Sequence, residues 1–134
     1  MTERDLYEFL AQERKIKRLL AEYKECEGVM CSPKSPGISG APGGNGGEDK
    51  LMKLIDRRVS IQKKIEECAA LRDVAERRLD RAAEALKTEL QTDVFNLLYR
   101  KGYEISDIAA TLCYHKSHIY RQRTAILEIV ATLK

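Results

Sequence analysis

Between Lys116 and Arg123 the chain sets Lys116, Ser117, His118, Tyr120, Arg121 and Arg123 close together. An ammonium and two guanidinium groups suit phosphate oxygens and the acceptor edge of guanine, and Ser, His and Tyr can donate to phosphate. That is the chemistry of duplex DNA contact, so these six are the candidate DNA-binding residues and double-stranded DNA is the expected partner. The same stretch has a metal reading, because Cys113, His115 and His118 are ligand types and His115 and His118 lie three apart. No fourth ligand stands near them, so no metal is expected. Catalysis has less support. No nucleophile has a His and a carboxylate in suggestive order, and helical carboxylates alternate with Lys and Arg as solvated pairs. No catalytic residue, no cofactor and no enzyme activity are therefore expected.

Two further motifs fail on their surroundings. Gly43-Gly44-Asn45-Gly46-Gly47 resembles a phosphate-cradling loop, but Glu48 and Asp49 follow where phosphate would bind, and no strand precedes it. The cysteines Cys26, Cys31, Cys68 and Cys113 are scattered and not spaced as a framework; a reducing compartment keeps them as thiols.

The candidate contact residues need a scaffold, and the residues before them supply one. Thr92 can cap a short helix that ends at Arg100-Lys101-Gly102, with Gly102 as the terminating glycine. Ser106 can cap a second short helix through Leu112, with Asp107 at its positive end. A break at Cys113-Tyr114-His115 then leads to a third helix from Lys116. Two short helices joined by a tight break, the second opening with polar and basic residues, form a helix-turn-helix pattern. Its core should be Ile108, Ala109, Leu112, Tyr114 and Ile119, with Ala109 small where the helices cross. Ile126, Ile129, Val130 and Leu133 continue the buried side.

Upstream the chain reads as helix, linker, helix. Leu6, Phe9, Ile16, Leu20 and Tyr23 follow three-four spacing over residues 1–30, with Leu10 and Leu19 widening the stripe. All three prolines and six of the eight glycines fall in 31–49, which reads as a flexible linker. Residues 50–90 contain no Gly or Pro and hold Leu51, Leu54, Ile61, Ile65, Cys68, Ala75, Leu79, Ala82 and Leu86 near heptad register. Arg58 and Arg72 interrupt that seam, so partner helices must cover the gaps. The expected fold is all-α: a long helical hairpin or coiled coil followed by a C-terminal helix-turn-helix over 91–134. A homo-oligomer through the coiled coil is expected.

Charge limits the mechanism. The chain is +3 with His neutral, and from Thr92 to Lys134 six Lys plus Arg oppose four Asp plus Glu, leaving +2. Each neutralised phosphate contributes about 0.9 to the salt slope on duplex DNA, so a slope of about −3 to −4 per monomer is expected. Useful affinity then calls for a second copy or a docked partner. No apolar run approaches the roughly 20 residues of a membrane span, and Met1 to Asp5 lacks the character of a secretory signal. A soluble protein with no membrane partner is expected.

Leu98-Tyr99-Arg100-Lys101-Gly102-Tyr103-Glu104-Ile105-Ser106-Asp107-Ile108-Ala109-Ala110-Thr111-Leu112, with Ile119 seven residues on, resembles the helix-turn-helix of sigma-factor region 4. The layout is similar to phage late-gene transcriptional regulators of the RinA and ArpU type, which place a coiled-coil segment and a Gly/Ser/Pro-rich insert before such a motif. The resemblance implies sequence-specific promoter binding and activation of packaging or morphogenesis genes with the host's bacterial RNA polymerase, in the bacterial cytoplasm. Cys113 stands at the turn position where such motifs usually carry Gly, and Gln122 where they usually bury an aliphatic residue. The alternative is a coiled-coil interaction protein of phage packaging or assembly. In that reading, similar to small terminase subunits, the helix-turn-helix docks on protein.

Overall fold

The computed structural model describes residues 1–31 and 45–133, with the side chains of 29–31 and 45–48 outside the description. Residues 32–44, which hold most of the expected linker, lie outside the described residues. Among the described residues there are five α-helices: α1 (Glu3–Cys31), α2 (Asn45–Ala85), α3 (Glu89–Phe95), α4 (Ile105–Leu112) and α5 (Lys116–Ala131). Among the described residues the protein is all-helical, with no strand. Contacts divide it into two compact units, one of Met1–Glu13 with Ala70–Lys134, the other of Arg14–Ala69. Both long helices contribute to both units.

In the Arg14–Ala69 unit, Leu19, Cys26 and Ile61 are buried and Tyr23, Ile65 and Cys68 pack on them. The two helices run in opposite directions. Lys15, Arg18 and Leu19 share a groove with Lys64, Glu67 and Cys68, whereas Glu27 lies 3.9 Å from Arg58. Arg58 fills its seam position by laying its guanidinium over the Tyr23 ring, 4.9 Å from the centroid, so the stem stays useful where Leu would otherwise pack. Leu20 departs from expectation: it is 42% exposed, because Leu19 turns inward and its neighbour lies about 100° further round the helix. Asn45–Asp49, expected as linker, is the start of α2. Glycine lowers helix propensity by about 1 kcal/mol relative to Ala without forbidding the helix.

In the unit formed by both chain ends, Leu6, Leu79 and Ala82 of the long helices meet Val94, Phe95, Leu98, Tyr99, Ile108, Ala109, Ile119, Ile126 and Val130 in one core. Arg72 occupies the other interrupted seam position and lies 3.2 Å from Glu13. The long helix stops at Ala85, short of the expected 90, although no Gly or Pro lies anywhere in 50–90. Local bonds compete with the helix there. Thr88 adopts an extended backbone and its hydroxyl accepts from Gln91 N (3.1 Å), while Gln91 Oε1 accepts from Lys87 N (2.9 Å). This is a variant of the reciprocal capping box. Thr92, expected as the cap, lies inside α3 and bonds back to the Thr88 carbonyl.

α3 continues as one wide turn, Asn96–Arg100, in which Lys101 N reaches back five residues to the Asn96 carbonyl (3.1 Å). Gly102 then reverses the chain at φ +75°, and a side chain there would lie 3.4 Å from Leu10. The contact with Leu10 is an ordinary one, and it is the positive φ that calls for glycine. α4 begins at Ile105 with Glu104 as its extended cap residue and no side-chain capping bond, so Ser106 sits in the first turn and is not the cap.

Candidate nucleic-acid interface

The junction between α4 and α5 decides which side chains α5 presents. Cys113 ends α4 in the left-handed region (φ 61°, ψ 40°) and donates its N–H to the Ala109 carbonyl. Tyr114 N also reaches Ala109 O at 3.0 Å, so both N–H groups of the turn converge on that one carbonyl near the end of α4. His115 caps α5: its backbone is extended and its Nδ1 accepts from Ser117 N at 3.2 Å. An accepting Nδ1 places the imidazole proton on Nε2. Ser117 Oγ lies 2.9 Å from the same nitrogen, so the Ser117 hydroxyl is partly committed to the cap.

From this start α5 buries Ile119, Ile126 and Val130 and exposes Lys116, Ser117, Tyr120 and Arg121. Tyr120, Arg121, Thr124, Ala125 and Glu128 line one shallow groove. Glu128 makes the far end of that face acidic, so positive charge is concentrated in the first two turns. His118 is half-buried, its ring stacked on Tyr114 with centroids 4.9 Å apart and planes at 26°.

Of the expected core, Ile108, Ala109 and Ile119 are buried and Leu112 is half-buried. Tyr114 is not in the core. It is 46% exposed, because the left-handed turn at Cys113 directs the next side chain along the surface onto His118. Gln122, at a position expected to be aliphatic, is half-buried.

Arg123 differs from the other expected contact residues. Its Nε and Nη2 lie 3.0 and 2.7 Å from Glu3 Oε1, and Tyr99 Oη donates to the same oxygen at 3.3 Å. Two residues along a helix are about 200° apart, so Arg121 and Arg123 cannot share a face. The Glu3 hydrogen bond raises the Arg123 pKa further, holding the guanidinium charged. Burial, then the negative charge of Glu3, pushes the Tyr99 phenol well above its ordinary range. Tyr7 completes the cluster with its ring 5.1 Å from that of Tyr99. Sequence reading missed this cluster because Glu3 sits in no motif and is 120 residues from its partner, while Tyr99, though inside the helix-turn-helix-like stretch, carries no charge that marks it as a partner.

Away from α5, an open groove of about 720 Å³ is lined by Ala83, Thr92, Asp93, Asn96, Leu97, Arg100, Lys101, Thr111 and Leu112. Arg100 is paired with Asp80 at 2.6 Å. Among the described residues no three His, Cys, Asp or Glu side chains converge as a metal site, and Cys113 is exposed. No described helix is long and apolar enough to cross a membrane. Comparison with protein-family models, with characterised proteins and with solved structures finds no match to this chain.

Proposed function

We propose that this protein is a sequence-specific DNA-binding transcriptional regulator in which α4 and α5 form a helix-turn-helix and α5 is the recognition helix. The α1–α2 pair is read as a helical hairpin that also brings two copies together. The observation that carries the reading is the two-sidedness of α5, with Ile119, Ile126 and Val130 buried and Lys116, Ser117, Tyr120 and Arg121 exposed at its start. In such motifs the N-terminal residues of the second helix contact base edges. The resemblance to phage late-gene regulators points to activation of packaging or morphogenesis genes together with bacterial RNA polymerase.

The α5 face of one copy carries two full positive charges, Lys116 and Arg121, since Arg123 is engaged by Glu3. A module this weakly charged binds DNA weakly alone. The second copy or the polymerase supplies the remaining affinity. The same scarcity of charge favours the second reading, a packaging or assembly protein whose helix-turn-helix docks on another protein. The groove floored by Leu97 and Leu112 gives that reading an apolar surface.

Selection of sheared genomic DNA on the purified protein separates the two, with a Lys116→Ala, Arg121→Ala double variant as control. Enrichment of one short intergenic fragment by the parent alone supports the regulator. No enrichment with or without added polymerase refutes it in favour of protein docking.

A further inference from the structure

The two compact units differ in what holds them. In the unit formed by both chain ends, twelve buried side chains drawn from all five helices make one core, and Glu3 ties α1 to Arg123 of α5. In the Arg14–Ala69 unit the buried side chains among the described residues are Ile16, Leu19, Cys26 and Ile61, supplied by two helices alone. The ion pair of Arg58 with Glu27 spans 3.9 Å between side chains 34% and 49% exposed, so solvent screens it. Both helices also end weakly in this unit. The last turn of α1 holds no basic residue to oppose its negative pole, and the first turn of α2 holds Gly46 and Gly47. Most helical stability comes from a packed face, so the Arg14–Ala69 unit is the less stable of the two.

A buried polar side chain stands on α1 just before this unit begins. Gln12 is 2% exposed and is the last side chain of α1 buried in the unit formed by both chain ends. Its amide donates to Glu8 Oε1 at 2.6 Å, but its own carbonyl oxygen is buried with no hydrogen-bond partner. A buried acceptor left unpaired carries the full loss of its hydration. Parting of the helices from residue 14 onward admits water to that oxygen, which the closed state keeps dry. We propose that residues 14–69 open as a unit on their own, with Gln12 as the point on α1 where opening stops, while the core that holds α5 stays folded. Opening uncovers Leu19, Cys26 and Ile61. The unit is thus a conformational device whose two helices can part and re-pair without loss of the rest of the fold.

This opening does not depend on whether α5 contacts DNA. Thiol labelling of the full chain, mapped to each cysteine by mass spectrometry and run beside amide hydrogen exchange, tests it. Cys26 is buried, so its thiol reacts only in an opened state. Its labelling, and the exchange of amides in 16–26 and 54–65, should report one opening equilibrium. That equilibrium should be at least about a hundredfold more favourable than the opening that exposes the α3 and α5 amides. Leu19→Ala should raise it by roughly tenfold or more while leaving α3 and α5 unchanged. Gln12→Leu should lower it by roughly tenfold, because the oxygen that gains water is gone. If Cys26 and the α3 and α5 amides open together in the parent and in both variants, the chain unfolds only as a whole and the proposal falls. If the unit opens alone but at the same equilibrium in Gln12→Leu, the boundary at Gln12 is overturned.

Discussion

Glu3 Oε1 and Arg123 Nη2 are 2.7 Å apart, joining the first turn of α1 to the middle of α5. One carboxylate oxygen also holds Arg123 Nε and the Tyr99 hydroxyl. Its side chain and that of Arg123 are 28% and 34% exposed, so solvent still screens the pair and its contribution is about 0.5–1 kcal/mol. Glu3→Gln should lower the thermal midpoint by a few degrees. Arg123→Gln should do nearly the same, and the double variant should cost little more than either single change. Fully additive losses in that cycle would mean that the two side chains are uncoupled.

With Arg123 engaged by Glu3, the cations left on the proposed recognition face are Lys116 and Arg121. The salt slope of a single copy on DNA should then be about −2 to −3, one phosphate less than the sequence suggests. Lys116→Ala and Arg121→Ala should each flatten it by roughly 0.9 while leaving helicity intact. Arg123→Ala should act on stability instead. If Arg123→Ala flattens the slope as strongly as Arg121→Ala, the guanidinium reaches DNA after all.

The difference between what was and was not readable in the sequence follows the range of the interactions involved. The Cys113-Tyr114-His115 break and the helix from Lys116 are local and were legible, because apolar spacing and turn residues lie within one helical turn of the structure they specify. The α2 end at Ala85 was also local, but the signal was Thr88 and Gln91 rather than Gly or Pro, so it passed unnoticed. Arg123 could not be placed from its neighbours. Helical spacing alone puts it off the Arg121 face, yet nothing near it in sequence announces that Glu3 takes it up. Leu20 and Leu19 were both apolar on one broad stripe, and only the partner helix selects which of them is buried.

Tyr99 is fully buried among Phe95 and its core neighbours, and its phenol is held neutral by burial and by Glu3. Its folded pKa exceeds the unfolded value of about 10. The stabilisation it provides is therefore complete below that pH and is lost as pH rises toward the folded value. In an alkaline titration followed by ultraviolet absorbance and circular dichroism, the Tyr99 phenolate should appear only as helix is lost. A Tyr99→Phe variant should lack that late absorbance step. A step that persists in the variant, or one completed while the helices are intact, would remove burial as the cause.

Cys113 is the one non-glycine residue with positive φ among the described residues, at 61°, and its side chain is exposed. The left-handed conformation costs an ordinary side chain roughly 1 kcal/mol, and glycine nothing. Against that, glycine loosens the unfolded chain and returns part of the gain. No packing is lost, since the thiol's recorded bond is a weak one, 4.0 Å to the Ala110 carbonyl. Cys113→Gly should therefore raise the thermal midpoint by a few degrees, Cys113→Ala should leave it nearly unchanged, and Cys113→Val should lower it, because a β-branched residue tolerates this region least. The order Gly above Ala above Val in midpoint reads the strain directly. If all three variants melt together, the turn has relaxed out of the left-handed region, and the angle at which α5 leaves α4 is set by the buried contacts of Ile108 and Ile119 instead.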